Sequence, residues 1–187
     1  NHKKMSRRQR FYRYILYDLM GWTIDGEIPH DERRVLVVFL PHTSNWDFVI
    51  GWLLICAEKI TITIFGKDQF NFFPLNYAYR YFNVVPISRK KSQNFVKQAA
   101  AQYDDDAALW TGMAPEGTRC YQAALRSGYY HLAKEAGVQI LTVGPDFRNK
   151  RILIEPLRNV EETFEQDAAL LISFSKKCVG KRPNMSI

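Results

Sequence analysis

The residues best suited to chemistry begin at His42, in the block Pro41-His42-Thr43-Ser44-Asn45-Trp46-Asp47. An imidazole takes up a proton near neutral pH, and a carboxylate on its other nitrogen fixes the tautomer and stabilises the imidazolium. On a regular helix, positions five apart are separated by about 140°. His42 and Asp47 therefore meet only if His42 lies in a loop and Ser44 or Asn45 caps the helix that follows. Ser44-x-x-Asp47 is also a capping-box pattern with Asp in place of Glu, in which Asp47 would simply accept a backbone N–H. Both readings stand on spacing alone.

A second block is Ala114-Pro115-Glu116-Gly117-Thr118-Arg119. Gly117 permits a positive φ, and turns at strand carboxyl ends are where open α/β sheets hold ligands. Arg119 offers a planar fork of donors suited to phosphate, and Thr118 adds a hydroxyl donor. The alternative is an ordinary turn with a solvated arginine. Two further cations follow apolar runs, Lys67 and Arg89, although Arg89-Lys90-Lys91 also reads as a solvated basic turn. In a parallel sheet such strand ends converge on one rim. Cys120 beside Arg119 is a conceivable nucleophile, whereas Cys56 sits in an apolar helical run and His131 within a predicted helix, both as packed residues.

These blocks need elements to hold them. Val35 to Leu40 is a buried-strand run, and Asn45 to Lys59 is a helical stretch. Strands are expected at Thr61 to Phe65, Val84 to Ile87, Ala108 to Met113 and Val138 to Val143, with an edge strand at Arg151 to Glu155. Helices are expected at Pro74 to Tyr81, Ser92 to Tyr103, Ser127 to Ala136 (closed by Gly137) and Glu161 to Lys177. Buried strands alternating with helices predict a single α/β domain with a mostly parallel central sheet flanked by helices. Phe11, Tyr14, Ile15, Leu19 and Trp22 recur at helical spacing, so residues 6 to 22 form a basic amphipathic N-terminal helix. The expected division is residues 1–24 for that segment and 25–187 for the domain.

The formal charge of +7 is concentrated at one end, because the first thirteen residues hold six cations and no acid. The nearly balanced remainder speaks against a nucleic-acid partner and for a local electrostatic anchor. Such a helix suits a membrane interface, with aromatics at headgroup depth and arginines against anionic lipid; the competing reading packs it on the core. No run reaches the roughly 20 apolar residues of a bilayer span, and no secretory signal is expected. Three widely spaced cysteines without metal or redox spacing fit reduced thiols in the cytoplasm.

Taken together, the His-x-x-x-x-Asp block, the strand ending in Arg89 and the Pro-Glu-Gly-Thr-Arg block resemble the glycerolipid acyltransferases in order and spacing. The lysophosphatidic acid branch is the most similar, and the resemblance runs over about residues 35 to 145. It implies that His42 deprotonates an acceptor hydroxyl and that Asp47 orients it. It further implies that Lys67, Arg89 and Arg119 bind the acceptor phosphate while Glu116 and Gly117 shape that pocket, with Thr118 also among the substrate-binding residues. The implied acyl donor is acyl-CoA or acyl carrier protein, and the acceptor is a lysophospholipid. No bound cofactor and no metal are implied. The N-terminal helix would dock on the membrane surface, placing the protein on the inner face of the membrane. The alternatives are a lyso-lipid acceptor without glycerol phosphate, or a lipid-binding module without catalysis. Pro41 departs from the family, which usually has Asn before the histidine.

Overall fold

The computed structural model describes residues 5–67, 83–87, 92–103, 108–117 and 123–185. The expected helix at Pro74 to Tyr81, and the residues Arg89, Thr118, Arg119 and Cys120, lie outside that range.

Apolar runs at β2 (Arg34–Phe39), β3 (Ile62–Lys67), β4 (Val84–Ile87), β5 (Leu109–Met113) and β6 (Gln139–Asp146) become the strands of one sheet. Two more complete it, β1 (Thr23–Asp25) and β7 (Arg151–Ile154), in the order β1-β7-β6-β2-β5-β3-β4. All pairings are parallel except β6 with β7. β2 and β6 are buried along most of their length, as strands covered on both faces must be.

Side-chain alternation splits the core in two. Val35 and Val37 of β2, Trp110 of β5, and Leu141 and Val143 of β6 face helix α2 (Asn45–Glu58). Leu36, Val38 and Leu40 face the opposite layer, α3 (Ser92–Ala100), α4 (Gly128–Ala136) and α5 (Phe164–Ser175). Each fully buried Leu or Ile contributes about 1.5–3 kcal/mol through lost water contact.

The expected N-terminal helix is present over Arg7–Leu19, as α1 (Arg7–Arg13) continued by a π-helical stretch at Tyr14–Leu19. Two expectations are corrected. β7 is not an edge strand, because β1 pairs outside it. The Ser92 to Tyr103 helix is α-helical only to Ala100 and tightens to 3-10 over Ala101–Tyr103.

The N-terminal segment also resolves the choice between core packing and exposure, since it does both. Leu16 is fully buried, and Tyr12 meets Trp52 of α2 edge-on. Gln9 Nε2 donates to Ala57 O at 3.1 Å, and Arg13 and Tyr17 both bind the Glu58 carboxylate. On the outward side Phe11, Tyr14 and Leu19 are 58%, 56% and 68% exposed. Among the described residues no helix is long and apolar enough to cross a membrane.

Candidate active site

β2 ends at Phe39, and the chain passes through a cis Leu40–Pro41 bond into the His42 turn. Ser44 is the N-cap of α2, in extended conformation, and its Oγ accepts from the Trp46 N–H at 3.1 Å. Asp47, fully buried on the first turn, folds back over the loop. Its Oδ2 accepts from the Thr43 N–H at 2.5 Å and the Ser44 N–H at 2.6 Å, while Oδ1 lies 3.3 Å from Ser44 Oγ. The same Oδ2 stands 3.4 Å from His42 Nδ1. The two readings of Asp47 are thus compatible: one carboxylate caps the helix and faces the imidazole.

The His42–Asp47 contact is close enough for charge attraction but poorly aligned, so Nδ1 is buried without a hydrogen bond. Contacts of this kind are often long in ligand-free enzymes and tighten when substrate arrives. Since Nδ1 is buried while the ring keeps 24% exposure, the accessible nitrogen is Nε2. Phe39 packs against the ring edge-on, with centroids 6.2 Å apart. Thr43 Oγ1 accepts from the Arg182 N–H at 3.2 Å, which ties the C-terminal segment to the same loop.

Because β5 pairs with β2 in parallel, the turn after Met113 lies beside the His42 turn. Glu116 is 1% exposed and its Oε2 accepts from the His42 N–H at 3.0 Å. Its Oε1 has no partner among the described residues. Burial pushes the Glu116 carboxyl above its ordinary pKa; the His42 N–H pulls the other way, and the Asp47 charge adds to the rise. Gly117 adopts φ +67°, a conformation that disfavours side chains, and its N–H closes the turn onto Ala114 O at 3.1 Å.

His42 and Asp47 open onto a cleft of about 1710 Å³. On the α2 side its wall is apolar, with Phe39 and Val37 from β2, Ile62 and Ile64 from β3, and Trp52 and Ile55 from α2. Gly51 of α2 and Gly112 of β5 line this part and present no side chain to it. A Cβ at Gly112 would come within 3.1 Å of Ile62 Cγ2, so the Ile62 side chain already fills the space over Gly112. The arrangement can take a proton from a group at His42 Nε2 while holding an apolar chain alongside.

Of the residues singled out by sequence, His42, Asp47, Glu116 and Gly117 come together. Lys67 is the last residue of β3, where its backbone pairs with Ile87. Arg89, Thr118 and Arg119 lie outside the described residues. Sequence reasoning did not single out Gly51, Gly112 or Arg126, which also line the cleft. The signal for the first two was present as small residues inside a predicted helix and strand, where glycine marks close approach.

Among the described residues no cluster of His, Cys, Asp and Glu could hold a metal ion. The family model described as Acyltransferase matches residues 23–145, a span that contains both turns. No curated protein matches the sequence.

Proposed function

The chain belongs to the acyltransferase family, and from that premise we propose that it moves a fatty acyl group from a thioester to a lysophospholipid hydroxyl. The observation that carries this reading is His42, held with Nδ1 against buried Asp47 and Nε2 toward a cleft with an apolar wall. Nε2 takes the proton of the acceptor hydroxyl as its oxygen attacks the thioester carbonyl. The tetrahedral intermediate collapses, the C–S bond breaks, and the leaving thiolate recovers the proton from the imidazolium. Asp47 stabilises that cation and holds the ring. No protein nucleophile is required.

The oxyanion needs a donor fixed in advance. An N–H of the first turn of α2 suits this role, although that of Trp46 is already taken by Ser44 Oγ. The acyl chain lies along the wall made by α2, β2, β5 and β3, where Gly51 leaves room. Gly51→Leu should therefore shift donor preference toward shorter chains, measured as relative kcat/KM for C8 and C16 thioesters.

The acceptor is a glycerol phosphate lyso-lipid, with Lys67, Arg89, Thr118 and Arg119 binding its phosphate and Glu116 and Gly117 shaping the turn. The donor is acyl-CoA or acyl carrier protein, and no other cofactor takes part. Exposed Phe11, Tyr14 and Leu19, beside Arg7, Arg8 and Arg10, suit docking on anionic lipid at the cytoplasmic face of a membrane. The test is to supply labelled palmitoyl-CoA or palmitoyl carrier protein with lysophosphatidic acid, a lyso-lipid lacking glycerol phosphate, or neither. Labelled phosphatidic acid supports the reading. Exclusive acylation of the other lyso-lipid would replace the acceptor, and no acylated lipid from any pair would overturn the reading.

A further inference from the structure

A cation outside the assigned site residues lines the same cleft. Arg126 lies between the Gly117 turn and the start of α4, and its N–H donates to Pro115 O at 2.9 Å. That bond fixes it to the turn that carries Glu116. Its side chain crosses the bare face of Gly117: a Cβ there would fall 2.8 Å from Arg126 Nε and 2.9 Å from its Cζ. The positive φ of Gly117 and the path of this side chain thus call for the same residue type. Glu116, one residue away, touches the His42 backbone, so Arg126 lies over the turn that adjoins the general base.

Two other described lysines line the cleft, Lys97 of α3 and Lys134 of α4. Lys134 Nζ donates to Tyr130 Oη at 2.6 Å and to Glu162 O at 3.0 Å, whereas Lys97 sits on α3 and not on the turn that carries Glu116. Arg126 is an exposed side chain lining the cleft, and among the described residues no carboxylate pairs with it. A guanidinium held by its backbone at the rim of a site, with its donors uncommitted, matches the oxygens of a phosphate group.

We propose that Arg126 is a substrate-binding residue that takes a phosphate group of one of the two reactants. This rests on the acyl-transfer reading above, and it adds a contact that the two sequence blocks do not contain. Two sources share the chemistry: the phosphate monoester of the acceptor, and the phosphates of coenzyme A in the donor.

The test uses the full chain as wild type, Arg126→Ala and Arg126→Lys. KM and kcat are measured for lysophosphatidic acid against monoacylglycerol, and for palmitoyl-CoA against palmitoyl-N-acetylcysteamine, which lacks phosphate. Loss of a charged hydrogen bond predicts a rise in KM of about tenfold to a hundredfold for one phosphate-bearing reactant. The phosphate-free counterpart should stay within about twofold, and lysine should recover part of the loss. A rise with lysophosphatidic acid assigns the acceptor, and a rise with palmitoyl-CoA assigns the donor. Equal changes with and without phosphate, or none, would overturn the proposal.

Titration calorimetry with glycerol 3-phosphate and with coenzyme A reads the same contact without turnover. If the wild type catalyses no acyl transfer, the function reading fails and the titration alone decides Arg126. Weaker binding of either anion by a folded Arg126→Ala variant supports the contact. Unchanged binding of both, or no binding by the wild type, overturns it.

Discussion

Asp167 and Glu116 are both buried carboxylates, and their surroundings treat them in opposite ways. Asp167, on the first turn of α5, accepts from Arg158 at 2.7 and 3.2 Å, from Tyr129 Oη at 2.9 Å and from the Glu161 N–H at 2.9 Å. Burial alone would raise its carboxyl, but the Arg158 and Glu161 hydrogen bonds outweigh it, and the pKa falls below the ordinary value. Around His42 the satisfaction is incomplete. Of the three buried polar side-chain atoms without a partner among the described residues, two are His42 Nδ1 and Glu116 Oε1. Buried polar groups are normally paired, so a cluster of exceptions calls for an explanation. Asp167 joins α4, α5 and the segment after β7 into one frame. Among the described residues the His42 region keeps two buried polar atoms without partners, beside a cleft that His42 itself lines.

The sharpest way to break this comparison is to remove one group from each region. His42→Ala should lower kcat by about 10²–10⁴, the range for a positioned general base, while the melting temperature changes little. Asp167→Ala should do the reverse, costing about 3 kcal/mol in a urea titration because Arg158 is left without its partner. Turnover per folded molecule should then stay near wild type. If the two variants lost stability equally, the distinction between frame and site would collapse.

Asp47 tests where the two roles meet in one residue. Asp47→Asn keeps an acceptor for the Ser44 N–H but removes the charge facing His42, so kcat should fall with little loss of stability. Asp47→Ala should lose a further ~1 kcal/mol of stability with the cap. Identical stability for the two variants would mean that the capping role is negligible.

The smallest effects separate the carboxylates by pH. The Asp167 pKa is lowered on folding, so its contribution is present above the ordinary carboxylate range and lost as pH falls through the depressed value. The Glu116 pKa is raised, so its contribution is present at acid pH and lost as pH rises through the elevated value. Glu116→Gln, whose amide oxygen still accepts from the His42 N–H, should therefore match or slightly exceed wild-type stability at neutral pH. Urea titrations across pH 4–8 check this sign; a clear loss of stability at pH 7 would contradict it.

How much was legible in the sequence follows the same division. The buried runs of β2 and β6 and the Ser44 cap of α2 are local patterns, and they yielded the α/β layers. β1 was not legible, because three residues make too short a run for alternation to register. Nor was the π-helical stretch, whose extra residue per turn barely alters the apolar spacing over six residues. In the site, the five-residue spacing of His42 and Asp47 needed only one loop and one cap, both written nearby. Gly112 and Arg126 depended on long-range facts instead. The register of β5 against β3 places Gly112 beside Ile62 and Ile64, and the return of the chain after the Gly117 turn brings Arg126 across it.

The most direct test of the central claim is thiol release from palmitoyl-CoA by the wild type and by His42→Ala, each with and without lysophosphatidic acid. The account predicts rapid release only when wild type and acceptor are both present, with His42→Ala near background. Release by His42→Ala at the wild-type rate would contradict it, because the proton of the acceptor would then be leaving by another path.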